Sequence, residues 1–120
     1  MYGTIRKMIR DMGKDYGEDF IWWDIDAYGF SKDSIRRFAD ELRTELLPDD
    51  PFLSGEVLIA AKCDAGDDML FYSAGLDKLR IYHLTWSHCR ESEGFPRFTE
   101  FDSAEAAARY IRQRYEEDYL

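Results

Sequence analysis

Cysteine, histidine and proline are scarce in this chain, at two, two and three of 120 residues. Two cysteines, Cys63 and Cys89, are too few for a disulfide framework. None is needed, because a chain of this size buries about two-thirds of its unfolded surface on folding. No apolar run approaches the roughly 20 residues of a membrane-spanning helix, so no membrane partner is expected. Positive charge is also short: 16 Lys and Arg face 25 Asp and Glu, a net charge of −9. A phosphate-backbone binder needs a basic surface, so direct nucleic-acid binding is excluded. The opening residues, MYGTIRKMIRDMG, carry charges every few positions and lack a signal-peptide apolar segment. The expectation is a cytoplasmic protein with both thiols reduced.

What is present describes a folded protein. Hydrophobic residues make up 45% and aromatics 16%, too much for a disordered acidic tail. The length fits a single domain over residues 1–120.

The apolar spacing predicts three helices. Ile5, Met8, Ile9 and Met12 form one face of a helix over Thr4 to Met12, with Thr4 as N-cap. Ser31 caps a second helix. Its apolar face is Ile35, Phe38, Ala39, Leu42 and Leu46, and Arg36, Arg37, Asp40, Glu41 and Arg43 form its polar face. Pro48 ends it. A third opens at Asp102 as N-cap with Glu105 three residues on, and buries Ala104, Ala107, Ala108, Ile111 and Tyr115. Glu116, Glu117 and Asp118 oppose the helix dipole at its end, where fraying is expected.

Between the last two helices the pattern is β. Strands are read at Gly55 to Cys63, Asp68 to Ser73, Lys78 to Ser87 and Phe98 to Phe101, with Phe20 to Ile25 as a short strand or irregular segment. The four-residue connections 64–67 and 74–77 require antiparallel pairing. Strand 78–87 is apolar on both faces and is expected to be central and covered on both sides. The fold class is α+β: an antiparallel sheet of three to five strands with about three helices, mainly packed on one face.

No catalytic motif stands out, and the expectation is a protein that is not an enzyme. Cys63, Cys89, His83 and His88 lack the CxxC or HxxxH spacing of a zinc site. A Cys89 nucleophile with His83 or His88 would sit beside Glu91 and Glu93, which disfavour a thiolate. The acid pairs Asp24/Asp26 and Asp67/Asp68 have no accompanying His, Lys or Gly-rich loop at a diagnostic spacing. Neither a metal nor a cofactor is expected.

The strongest local signal is a surface. Asp11, Asp15, Glu18, Asp19, Asp24 and Asp26 face one base, Lys14, across 16 residues. Six aromatics (Tyr16, Phe20, Trp22, Trp23, Tyr28 and Phe30) interleave with them. Side chains alternate along an extended chain, so Trp22 and Trp23 cannot both point inward. Aromatic anchors ringed by carboxylates suit a basic protein partner. The expected contact residues are Asp15, Glu18, Asp19, Trp22, Trp23, Asp24 and Asp26. An alternative is an enzyme or ligand pocket built from Asp67, Asp68, His83 and Trp86. A homodimer through the aromatic segment is a third reading.

The segments Asp67-Asp68-Met69-Leu70-Phe71, Tyr82-His83-Leu84-Thr85-Trp86-Ser87, Phe95-Pro96 and Phe101-Asp102-Ser103 resemble a group of small uncharacterised bacterial proteins. The resemblance covers residues 55–112 and implies no catalytic residues. In size, acidity and lack of motifs the chain also resembles, by type, the immunity proteins of bacterial toxin–immunity systems. That likeness implies a partner-occluding role against a basic toxin such as a nuclease.

Overall fold

The computed structural model describes residues 1–27, 29–86 and 96–119. The expectations for Tyr28, His88 and Cys89 fall outside them.

Five strands form one antiparallel sheet in the order β1-β2-β3-β4-β5. They are β1 (Trp22–Asp24), β2 (Val57–Cys63), β3 (Asp68–Ser73), β4 (Lys78–His83) and β5 (Phe98–Phe101). The helices are α1 (Tyr2–Tyr16), α2 (Lys32–Glu45) and α3 (Ala104–Tyr119), with a short 3₁₀ turn at Pro51–Leu53. The α+β expectation is met. Helices α1 and α3 cover one face, where Ile5, Ile9, Ala107 and Ile111 pack on Cys63, Leu70, Leu79 and Ile81. Helix α2 covers the other, where Phe38 and Leu42 meet Ile59, Met69, Phe71 and Tyr82. Strand β4 is therefore buried on both sides, as its sequence implies, although β3 is the middle strand.

Local chemistry explains the boundaries. Ser31 caps α2, its hydroxyl accepting from the Ser34 N–H at 3.2 Å. Helix α1 starts at Tyr2 rather than after Thr4, without a side-chain cap. It runs through Gly13 and ends at Gly17, whose φ of 86° is readily adopted only by glycine. Ser103, not Asp102, caps α3 by accepting from the Ala106 N–H at 3.1 Å; Asp102 pairs with Lys78 instead. Helix α3 continues to Tyr119, so the expected fraying at the three acids does not shorten it among the described residues.

Strand β4 stops at His83, four residues before the sequence reading ends it. The Thr85 and Trp86 N–H groups donate to the Glu45 carboxylate at 2.9 and 3.0 Å, which diverts these donors to a side chain. Glu41, read as part of the polar face of α2, is buried like Glu45. Burial and the neighbouring Glu41 carboxyl push the Glu45 carboxyl above its ordinary range.

Arg80 is buried on the α2 face. It donates to Glu100 at 2.8 Å and to the Tyr82 hydroxyl at 2.7 Å, and lies over the rings of Phe52 and Phe98. Burial raises the Tyr82 phenol to about 12. The start of β2 touches the β3–β4 turn through two glycines. A Cβ on Gly75 would lie 2.1 Å from the Ser54 Oγ and 2.8 Å from the Gly55 nitrogen. Gly75→Ala is expected to lower stability by about 1–3 kcal/mol, read by urea denaturation.

Candidate functional site

The backbone alternation separates the two adjacent tryptophans. Trp22 pairs with Cys63 and is buried under α1 and α3. Trp23, opposite Lys62, is 38% exposed on the edge strand. Beside it lies a groove of about 520 Å³ between α1 and β1. Ile9, Phe20 and Trp22 line it, and Arg10, Lys14 and Glu18 stand at its rim. Among the described residues nothing lies within 4 Å of a Cβ placed on Gly13 or Gly17, so neither position crowds the groove.

The acids of this segment divide into two kinds. Asp24 is buried, 2% exposed. Its carboxylate accepts from Arg6 at 2.6 and 3.1 Å, faces Arg10 at 3.4 Å, and also accepts from the Asp26 N–H. Burial raises its pKa, but the Arg6 hydrogen bonds and the two arginine charges outweigh this and hold the carboxyl below its ordinary value. Asp26 is exposed and also bonds Arg6. Asp15, Glu18 and Asp19 are exposed, and Asp15 lies 3.3 Å from Arg112. The reading of Trp22 and Asp24 is thus corrected: the Asp24 carboxylate is held by arginines inside the fold, and Trp22 forms an inner wall of the groove rather than an exposed anchor. Asp24 was misread because Arg6 and Arg10 precede the acidic segment and fold back onto it, and Trp22 because alternation alone leaves open which of two adjacent tryptophans faces in.

The alternative pocket is not assembled as a unit. Asp67, Asp68 and His83 border one cavity of about 320 Å³. Trp86 packs edge-on against Phe38 of α2, on the opposite face of the sheet. Its φ of 59° carries it there. His83 Nδ1 lies 2.9 Å from Asp68 Oδ1, with both side chains substantially exposed. Cys63 is buried, and desolvation raises its thiol pKa, which makes it a poor nucleophile. No cluster of three metal-binding side chains occurs among the described residues.

The fold adds a feature that no single segment shows. Tyr115 donates to the Asp19 carbonyl at 3.3 Å and Arg112 reaches Tyr16 and Asp15, so α1 and α3 end at the same pole. There β2 and β4 also end and β1 and β3 begin. This pole gathers Asp15, Glu18 and Asp19 from the first segment, Asp64, Asp67 and Asp68 from the β2–β3 turn, and Glu116, Glu117 and Asp118 from α3. Lys14, Lys62, Arg112 and Arg114 are the bases nearby in the chain. Both helices also direct the negative ends of their dipoles here. The sequence scan missed this because the acids come from three stretches about 50 residues apart.

Comparison with family models, with curated proteins and with solved structures finds no match. No helix among the described residues is long and apolar enough to cross a membrane.

Proposed function

We propose that this protein acts by binding a basic protein, most concretely as a cytoplasmic immunity protein that covers the cationic active site of a toxin such as a nuclease. The observation that carries this reading is Trp23, held exposed at an apolar groove that adjoins the acidic pole. An edge-strand tryptophan beside open apolar space fits a hot-spot anchor. The carboxylates of Glu18, Asp19 and Asp15 would steer a cationic partner and mimic the phosphates it handles.

Charge substitutions that probe this surface should leave Asp24 intact, because its loss strands Arg6 and perturbs the fold. The tests are Trp23→Ala and the pair Glu18→Gln with Asp19→Asn. Trp23→Ala is expected to weaken capture of the partner roughly thirtyfold, on the order of 2 kcal/mol. The charge pair is expected to slow association and flatten its salt dependence. The partner, once captured from the source cell, should arrest a bacterial host when expressed alone and not when this protein is co-expressed. Growth unaffected by the captured protein would overturn the immunity role. Unchanged capture by Trp23→Ala would overturn the surface. A homodimer through Trp23 would instead show as a dimer in sedimentation that Trp23→Ala dissociates.

A further inference from the structure

The 320 Å³ cavity at the acidic pole is separate from the Trp23 groove, although Trp22 borders both. It lies where the ends of β2, β3 and β4 meet the last turns of α3. The strand register builds its base. Trp22 stands opposite Cys63, and Asp68 opposite His83, on the sheet face that α1 and α3 cover. The apolar floor continues through Ile81 and Ile111, and Tyr110, Tyr115 and Tyr119 stand along the wall. Asp67 and Asp68 rise from the β2–β3 turn on one side, and Asp118 from α3 on the other.

We infer that this cavity receives an arginine side chain of the partner. The inference rests on the basic-partner reading and supplies it with a second anchor. A flat guanidinium on an aliphatic stem suits a slot with tyrosine walls and carboxylates at its mouth. The protein already shows the stacking element nearby, with the Arg114 guanidinium 5.9 Å from the Tyr110 ring centre. Asp67, Asp68 and Asp118 outnumber Arg114 at the rim, and Asp68 is further tied by His83. The C-terminal end of α3, which forms one wall, favours a cation and disfavours an anion. Lysine would gain the charge attraction but little from the flat rings. An anionic ligand would meet three carboxylates and one arginine.

The test is an amide NMR titration of the whole protein with N-acetyl-arginine amide, beside its neutral near-isostere N-acetyl-citrulline amide. Saturable shifts are expected at Asp67, Asp68, His83 and Tyr119, with half-saturation in the millimolar range for a ligand this small. The citrulline compound should bind at least fivefold more weakly. The conservative pair Asp67→Asn with Asp118→Asn should remove the difference between the two compounds, and its dispersed spectrum will show that it folds. Trp23→Ala should leave the titration unchanged. Equal binding of the two compounds, or no saturable shift at these residues, would overturn the arginine site. Either result would leave the Trp23 surface to be judged by partner capture alone, so the two readings fail separately.

Discussion

Asp24→Asn is expected to cost about 2–3 kcal/mol of stability, the loss typical of a buried, charge-assisted pair with one partner removed. Asp24 is 2% exposed and meets Arg6 in a two-point contact, with Arg10 behind. The asparagine keeps the shape but turns an amide toward two guanidinium groups and leaves Arg6 without its buried counter-charge. The effect has a pH signature. The folded carboxyl titrates below its ordinary 3.8. Its contribution is therefore complete above that value and is lost as pH falls through the lowered one. The gap between parent and variant in urea denaturation should be full at pH 7 and close in strong acid. A gap below 1 kcal/mol at pH 7 would show that the pair is incidental. Replacing Arg6 by Met together with Asp24→Asn should recover part of the loss, because the charges that remain, Arg10 and Asp26, are solvent-accessible.

Glu45→Ala carries the second large effect, about 2–4 kcal/mol, because three donors lose their acceptor together. These are the Thr85 N–H, the Thr85 hydroxyl and the Trp86 N–H, each 2.9–3.0 Å from a carboxylate oxygen. Trp86 adds a backbone cost, since its φ of 59° is disfavoured for a bulky side chain and must be held by its surroundings. Here the pH dependence runs the other way. Burial and the Glu41 neighbour raise the Glu45 carboxyl above its ordinary 4.5. Stability from this group is complete below that value and lost as pH rises through the raised one. The gap between parent and Glu45→Ala should be full below pH 4.5 and narrow toward neutrality. A gap independent of pH would mean that the Glu45 carboxyl titrates alike in the folded and unfolded chain.

These two acids also show where sequence reasoning stops. Strands β3 and β5 were legible to the residue, because short runs rich in apolar and aromatic residues lie between clear turn signals. The Ser31 cap of α2 was legible because its chemistry is local. The two tryptophans of β1 could be told apart in principle, since alternation forbids a shared side, but not which of them faced in. Asp24 was read as surface because its arginine partners lie 14 and 18 residues earlier. Glu41 and Glu45 continue the Phe38–Leu42 stripe of α2, and that spacing was the available signal for their burial. It was overridden by the ordinary rule that glutamate faces water. The end of β4 was misplaced because its last donors go to a side chain 40 residues away. The acidic pole was invisible because parallel packing of α1 and α3, which brings their C-termini together, is a property of the fold.

The central claim is that Trp23 and the carboxylates beside it form the contact surface for a basic partner. The most direct measurement is the affinity of the captured partner, by titration calorimetry at low and high salt, for the parent, Trp23→Ala and Glu18→Gln with Asp19→Asn. The account predicts a roughly thirtyfold loss for Trp23→Ala at both salt concentrations. It also predicts a loss for the charge pair that is largest at low salt. Affinities equal to the parent for both variants, with each variant folded, would contradict it.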